Sequence, residues 1–317
     1  MQSKKYILLF FIFLTLLFFV IFITQNKTNQ NIFSIKTNPI PHLHAHNHAH
    51  GDSLTQSTHH EFSKSNEIET EKDLWIKAIN FDIVNADDTV LHHMVLGRLD
   101  MKNQICNRYK PLLIMGEDQM HQPNISFPTG YAIHIPKGTP LMADTMLHNP
   151  NPPIGYGREY YNVSSKINFT LANEKEINNL KPVDFIQLYI ANKNDPCDYT
   201  FTVPANTANF TAGFKNETNY FTSYQFPTDG KIIYMGAHVH GWEGGQSLEV
   251  YLNEELIKSY RTEKSKAEYG YNTPHGQENI PVKFGDTISI ISTYNNPYPE
   301  EIVGAMGMLG IYFSPDK

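Results

Sequence analysis

Two histidines separated by a single residue lie towards the carboxyl-terminal end of the chain, in His238-Val239-His240. On a β-strand, residues i and i+2 project from the same face, so the two imidazoles would stand side by side. Neutral imidazole is the commonest metal ligand in proteins. The pair therefore predicts a two-nitrogen platform for a metal ion.

Two methionines occur in the last predicted strand, which covers residues 304–313. Alternation places Met306 and Met308 on one face of this strand. A methionine in a strand usually packs in the core. A thioether near two imidazoles, however, is a soft ligand that selects copper over zinc. The combination favours copper, with either methionine able to supply the sulfur.

A second group of histidines lies in the first half of the chain. His92 and His93 are adjacent in an apolar run. Neighbours on a regular strand face opposite sides, so both rings can bind one ion only at a β-bulge or at a strand end. His148 ends another apolar run, just before a proline-rich loop. By itself it is interpreted as a hydrogen-bonded residue at a strand end.

A histidine tract lies in the polar segment 26–71 and, with two further histidines, holds seven of the 15 histidines of the chain. Its alternating members are His42, His44, His46, His48 and His50. Such a segment lacks an apolar set for a core, so a disordered linker is expected when no metal is bound. We interpret the tract as a loose metal-capture arm because alternating rings can converge on one ion; a plain flexible tether is the alternative.

The amino-terminal segment, residues 1–25, is predicted to be a membrane anchor or a signal peptide. Lys4 and Lys5 precede an uncharged apolar run over residues 6–23. At about 1.5 Å per residue, this run would span about 27 Å as a helix, close to the thickness of a bilayer core. No small-x-small cleavage site follows it, which slightly favours an uncleaved anchor. Either way, the rest of the chain is expected to be exported, on the periplasmic or extracellular face.

Composition excludes several functions. The net charge of −7 argues against a nucleic-acid-binding protein, which normally carries a basic surface. Two cysteines, Cys106 and Cys197, are too few for a disulfide-rich scaffold or a four-cysteine zinc site. In an exported chain these two can pair with each other.

The residues from about 72 onwards are predicted to be mostly β. Short alternating runs such as Leu248, Val250 and Leu252 recur between turn signals, and long amphipathic patterns are missing. This pattern is typical of β-sandwiches or barrels. A break near residues 194–197 divides the region into two predicted domains, 72–196 and 197–317.

Four short blocks together resemble one enzyme family. They are 91–94 (Leu-His-His-Met), 127–131 (Phe-Pro-Thr-Gly-Tyr) with His148, 238–241 (His-Val-His-Gly), and 284–286 (Phe-Gly-Asp) with 306–313. In order and spacing they resemble the copper type II, ascorbate-dependent monooxygenases, the family of peptidylglycine α-hydroxylating monooxygenase and dopamine β-monooxygenase. The resemblance covers roughly residues 73–317.

The resemblance implies an all-β fold with two tandem jelly-roll-like antiparallel β-sandwich domains and two copper ions per chain. One copper would be held by His92, His93 and His148, and the other, catalytic copper by His238, His240 and Met306, with Met308 as the alternative sulfur ligand. It further implies hydroxylation of a C–H bond of a small substrate by O₂, with ascorbate or another one-electron reductant.

Departures from the family leave the substrate open. The peptide-hydroxylating enzyme has an arginine where this chain has Gly236, and family asparagine and tyrosine positions are Met308 and Gly310 here. Peptide amidation is therefore not favoured. Two ligand sets favour an enzyme, because storage does not require two differently tuned sites. The histidine tract fits the alternative, a non-catalytic copper-binding protein for capture, storage or delivery.

Overall fold

A computed structural model of the protein describes residues 31–45, 60–102, 105–116, 124–149, 157–192, 194–215, 221–240, 244–264, 271–272 and 274–316. Within these ranges the regular structure is almost entirely β-strand, as the alternating patterns predict. No helix in the described ranges is long and apolar enough to cross a membrane. The predicted anchor or signal, residues 1–25, lies outside them.

In the described ranges, twelve strands belong to the first half of the fold. They are β1 (Ile32–Lys36), β2 (Ile40–Leu43), β3 (His60–Lys64), β4 (Ile68–Glu69), β5 (Leu74–Val84), β6 (Leu91–Lys102), β7 (Tyr109–Gly116), β8 (Asn124–Ser126), β9 (Tyr131–Ile135), β10 (Pro140–His148), β11 (Tyr160–Leu171) and β12 (Lys181–Pro182). A 3₁₀ turn (Asp88–Val90) precedes β6, and a short helix α1 (Glu174–Ile177) precedes β12.

The described part of the second half contains thirteen strands. They are β13 (Asp184–Tyr189), β14 (Phe201–Val203), β15 (Thr207–Gly213), β16 (Ser223–Gln225), β17 (Gly230–Val239), β18 (Gly245–Leu252), β19 (Glu255–Arg261), β20 (Glu263–Lys264), β21 (Tyr271–Asn272), β22 (His275–Val282), β23 (Thr287–Asn296), β24 (Ile302–Ala305) and β25 (Gly307–Pro315).

The first half is a β-sandwich. One sheet has the order β1-β11-β5-β9-β12, with β2 added to β11 and β8 to β5. The other has the order β3-β10-β6-β7, with β4 added to β10. The main pairs, β5 with β11, β6 with β10 and β6 with β7, are antiparallel, whereas β9 and β12 pair in parallel. Inward-facing residues of both sheets, such as Ile76, Phe81, Met94 and Leu141, form one buried core.

The second half is a β-sandwich as well. Its two main sheets have the orders β13-β25-β17-β22 and β15-β23-β18-β19, with β16 added to β23. Met235 and Ile311 from one sheet pack with Val250 and Ile290 from the other. The prediction of an all-β chain with antiparallel sandwiches is thus confirmed. The chain enters this half at β13, ahead of the predicted boundary between residues 196 and 197.

The two sandwiches share a packed boundary. Tyr234 and Tyr312 of the second half belong to the buried core of the first half. The ring of Phe127 lies 5.0 Å from that of Tyr312. The residues from Phe33 onwards accordingly form one compact unit. Side chains from both halves can therefore meet in one site.

The prediction of a disordered linker over residues 26–71 is wrong for its described parts. Strands β1 to β4 lie in this segment and extend both sheets of the first sandwich. Ile35, Ile40 and Leu43 are buried in its core. The polar composition of the segment concealed these few apolar positions. They are enough to fix short strands here because each of these strands pairs with a longer one, β10 or β11, that already belongs to a sheet.

The turn that precedes β17 is held by contacts of Asp229. This residue accepts a hydrogen bond from the backbone N–H of Phe284 (2.8 Å) and forms an ion pair with Lys283 (3.0 Å). Gly230 is required next, because a Cβ there would lie 2.5 Å from the carbonyl oxygen of Ser314. These contacts fix the beginning of the strand that carries His238.

Candidate metal centre

A β-bulge at the start of β6 brings His92 and His93 together. In the pairing with β10, His93 lies opposite Met146 and Leu91 opposite Leu147, so His92 is the extra residue. A bulge of this kind turns two consecutive side chains towards the same side. The ring centroids of His92 and His93 are 4.1 Å apart. The bulge that two adjacent histidines need in order to bind one ion is therefore present.

The histidine at the end of β10 adjoins this pair. β10 lies beside β6 in the sheet, and His148 is its last residue. Its ring centroid is 5.0 Å from that of His92. His148 is buried. The structure thus brings together the three histidines expected to hold the first copper.

The second pair lies at the end of β17. His238 is in the strand and His240 follows its last residue, with ring centroids 4.9 Å apart. Both are buried. The two rings project to the same side, as the alternation of a strand predicts.

The two groups of histidines meet at the boundary between the sandwiches. The Nε2 atoms of His93 and His238 are 2.9 Å apart. The ring centroids of His92 and His240 are 5.2 Å apart. One nitrogen from each of His92, His93 and His240 lies within 4.8 Å of the other two. We call these residues the histidine cluster; its members are His92, His93, His148, His238 and His240.

The cluster differs from the expectation of two separate ligand sets. Members of both expected sets lie in one group, and Nε2 of His93, from the first set, is 2.9 Å from Nε2 of His238, from the second. The order of the candidate ligands along the chain can be read from the sequence. The distance between the two sets depends on how one sandwich packs against the other. The two halves pack closely at aromatic contacts such as that of Phe127 with Tyr312, whose ring centroids are 5.0 Å apart.

The two candidate methionines occupy different positions. Met308 lies directly opposite His238 in the pairing of β17 with β25 and is 8% exposed. Opposite residues in an antiparallel pair point to the same face. Met306 lies between β24 and β25, where its backbone N–H donates to the Tyr294 hydroxyl (3.1 Å). The predicted alternation is therefore interrupted at Met306.

A cavity of about 710 Å³ adjoins the histidine cluster. We call it the cluster cavity. His93, Met306 and Met308 line it, and Tyr109, Asp144 and Tyr199 line it as well. The Tyr109 hydroxyl donates a hydrogen bond to Asp144 (3.3 Å), and Lys64 lies 3.4 Å from the same carboxylate. The cavity therefore has an apolar wall that contains methionine thioethers and a polar wall that contains a carboxylate and tyrosine hydroxyls.

A disulfide lies close in sequence to residues that line this cavity, Asn107 and Tyr199 among them. Cys106 and Cys197 are bonded, with their Cα atoms 5.5 Å apart, as predicted. Arg108, two residues after Cys106, lies 4.8 Å above the ring of Tyr199, two residues after Cys197. Arg108, Tyr109 and Tyr199 were not predicted from the sequence as residues of the site. Their closeness to the two cysteines was the available signal, because a disulfide between the halves must lie at their boundary.

Burial keeps the His240 ring neutral. Loss of solvent lowers the pKa of His240 well below its usual range, and the neighbouring histidines, His238 first, lower it further. A neutral imidazole has a lone pair available for a metal ion. The electrostatics at this position therefore favour metal binding over protonation at neutral pH.

Only part of the predicted histidine tract falls in the described ranges. His42 lies in β2, and His44 follows that strand. His46, His48 and His50 lie outside the described residues. The described part of the tract is thus attached to the first sandwich through β2, which pairs with β11.

Comparisons with known proteins give similarity in structure only. No protein-family model matches the chain, and none of the curated proteins matches it in sequence. PNGase F, a glycosylasparaginase from Flavobacterium meningosepticum, is 12% identical, with a TM-score of 0.41, 90% of this chain and 97% of that chain covered. PNGF-II is 10% identical, with a TM-score of 0.42 and coverages of 91% and 66%. The major capsid protein P2 of bacteriophage PM2 is 8% identical, with a TM-score of 0.32 and coverages of 90% and 98%. The histidine cluster is therefore interpreted from its own geometry.

Proposed function

We propose that the chain is an exported copper-dependent monooxygenase that hydroxylates a C–H bond of a small substrate. The observation that carries the proposal is the position of His93. It belongs to the histidine cluster and also lines the cluster cavity. A metal ion held by the cluster would thus be accessible to a molecule bound in the cavity.

The donor set fits copper. The histidine cluster offers five imidazoles, and Met308 lies opposite one of them. Imidazole suits copper and zinc alike, whereas a thioether selects copper. His240 is held neutral by its burial, which suits a metal ligand. His92, His93, His148, His238 and His240 would hold the metal.

When bound, copper would supply one-electron chemistry with O₂, in which one oxygen atom enters the C–H bond and the other leaves as water, with ascorbate or another reductant and the solvent supplying two electrons and two protons. The chain's own residues would bind and orient the substrate. Val95, Ile114 and Met146 give the cavity an apolar wall. Burial and Asp144 raise the pKa of Tyr109, so its hydroxyl remains a hydrogen-bond donor at neutral pH. These features suit a small substrate with an apolar body and one polar end.

Export is part of the proposal. Disulfides persist mainly in oxidising compartments, and the Cys106–Cys197 bond fits such a compartment. The apolar segment 6–23 would direct the chain across a membrane or hold it there.

A non-catalytic copper-binding protein is the second candidate. The burial of four members of the histidine cluster favours it, because a storage site benefits from exclusion of solvent. His42 and His44, the described members of the histidine tract, add two further imidazoles near the surface. Both candidates require copper at the cluster, and they differ in what O₂ does there.

The test measures copper content and oxygen uptake together. Wild type, His93→Ala and His134→Ala would be loaded with copper and assayed for ascorbate-dependent O₂ uptake with a panel of small hydroxylatable substrates, with peroxide scavenged. His134 is a matched control because its ring stacks on Trp75, 4.4 Å away, and it does not belong to the cluster. We expect substrate-coupled uptake in wild type and His134→Ala and its loss in His93→Ala.

Two other outcomes would change the conclusion. Copper retention without substrate-coupled uptake across the panel would favour the second candidate. Failure of wild type to retain copper at the cluster would contradict both.

A further inference from the structure

A second group of metal-binding side chains lies on the surface of the first sandwich. Nε2 of His42 is 2.5 Å from Oε2 of Glu159, and Nδ1 of His44 is 3.4 Å from the same oxygen. The rings of His42 and His44 have their centroids 3.6 Å apart. Ligand atoms of all three residues lie within 4.8 Å of one another. Glu159 was not singled out by the sequence, because it is far from the tract along the chain.

Three independent contacts hold these residues in place. The pairing of β2 with β11 sets Leu43 opposite Tyr160, the residue after Glu159, and His42 opposite Tyr161. The ring of His42 stacks on that of Tyr161 at 4.4 Å. The backbone N–H of Ala45 donates to Oε1 of Glu159 (3.2 Å). The arrangement therefore does not depend on the side chains of the three ligands alone.

The buried side chain of Asn149 connects the two backbone segments that carry these three residues. It is 1% exposed, and its Nδ2 donates to the carbonyl of Leu43 (3.2 Å) and to that of Arg158 (2.5 Å). Leu43 lies between His42 and His44, and Arg158 precedes Glu159. One buried amide thus fixes the backbone beside all three ligands. Ligands held in advance lose less freedom when a metal binds.

We infer that His42, His44 and Glu159 form a second metal site, which binds a divalent first-row cation, with Cu²⁺ the tightest. Two imidazoles and a carboxylate suit divalent cations, and the carboxylate is too hard a ligand to favour Cu⁺. Among such cations the affinity of nitrogen and oxygen ligands reaches its maximum at Cu²⁺. His44 and Glu159 are well exposed, so water can complete the coordination. This inference goes beyond the proposed function, since it requires no catalysis and no metal at the histidine cluster.

The test is a Cu²⁺ titration of the full chain followed by electron paramagnetic resonance. His46, His48 and His50 would be replaced by alanine throughout, so that the rest of the tract does not contribute. Glu159→Gln and His44→Ala would be compared with Glu67→Gln, which neutralises an exposed glutamate elsewhere. Mutation of a residue that hydrogen-bonds to a metal ligand typically lowers metal affinity by about 10–100-fold. Loss of a direct ligand should therefore weaken the binding of one Cu²⁺ ion by about tenfold or more.

We expect that weakening in Glu159→Gln and His44→Ala, with the spectrum of a mixed nitrogen–oxygen site lost from both. Glu67→Gln should titrate as the unsubstituted background does. Identical titrations and spectra for Glu159→Gln and Glu67→Gln would overturn the inference and leave a plain ion pair. His93→Ala in the same background tests Cu²⁺ binding at the histidine cluster separately. A loss of binding at the cluster would therefore not be mistaken for a loss at the surface site.

Discussion

Nε2 of His93 and Nε2 of His238 lie 2.9 Å apart, although the residues are separated by 145 positions and belong to different sandwiches. The contact joins the bulged start of β6 to the end of β17. A metal ion bound by both residues would connect the two halves directly. Metal binding should consequently stabilise the whole unit rather than one sandwich.

The first prediction concerns this coupling. A ligand that binds only the folded state stabilises it by about 2.7 kcal/mol at 100 times its Kd. Copper should therefore raise the Tm of the wild-type protein by roughly 5 °C or more in a single transition. His93→Ala should show a smaller rise, because it removes the imidazole that contacts the other half. Differential scanning calorimetry with and without copper provides the measurement.

His134→Ala serves as the control for this experiment. It removes a half-buried imidazole from the first sandwich without touching the cluster. An equal copper-induced rise in His93→Ala and His134→Ala would contradict the role of His93. Two separate transitions, with copper moving only one, would contradict coupling between the halves.

The second prediction concerns the sulfur ligand. Met308 lies directly opposite His238, whereas the family resemblance implies Met306. Cβ atoms of directly opposite residues are about 4.5–5.5 Å apart, which leaves the Met308 thioether within reach of the cluster. We expect Met308→Leu to lose the copper–sulfur signal in X-ray absorption of the Cu⁺-loaded protein. Met306→Leu should keep it.

Each substitution controls for the other. Exchanges of methionine for leucine conserve volume and usually cost less than about 1.5 kcal/mol, so both variants should fold. Loss of sulfur in Met306→Leu alone would support the ligand implied by the resemblance. A wild-type spectrum without sulfur would leave an all-histidine centre.

The local chemistry of the site was predictable from the sequence to a large extent. The need for a bulge at His92 and His93 followed from the two-residue period of a strand, and the bulge is present. The common face of His238 and His240 followed from the same rule. The Cys106–Cys197 bond followed from an exported chain with two cysteines.

The relation between distant parts was not predictable in the same way. No local sequence pattern indicates how closely one sandwich packs on the other. The close approach of the two sets of candidate ligands could therefore not be predicted. The pairing of His42 with Glu159 likewise depends on the register of β2 against β11. The strands within 26–71 were missed because their few apolar residues become significant only beside a partner sheet.

The third prediction concerns these early strands. A chain beginning at residue 72 lacks β1 to β4 and the buried side chains of Ile35, Ile40 and Leu43. Each buried aliphatic side chain contributes about 1.5–3 kcal/mol, so the three together contribute roughly 4.5 kcal/mol or more. This approaches the total stability of many domains, about 5–15 kcal/mol. The chain 72–317 should therefore lose cooperative thermal unfolding, as followed by circular dichroism.

A chain beginning at residue 31 is the matched control, because it keeps all four strands. It should unfold cooperatively and keep its copper. If the chain 72–317 unfolds with the same Tm as the chain 31–317, the early strands do not stabilise the sandwich and the assignment of the segment as part of the fold is wrong.

The fourth prediction concerns the disulfide beside the cluster cavity. The bond closes a loop with a sequence separation of 91 residues, and removal of a native disulfide typically costs about 2–4 kcal/mol. The double substitution Cys106→Ser, Cys197→Ser should lower the free energy of unfolding by that amount in a urea titration. Copper affinity at the histidine cluster should stay within about twofold of wild type, because β6, β10 and β17 are held by their sheets. Wild type reduced with dithiothreitol should behave as the double variant does. Unchanged stability would show that the bond merely joins segments already held by Arg108 and Tyr199, and loss of copper would show that the cavity wall also positions the cluster.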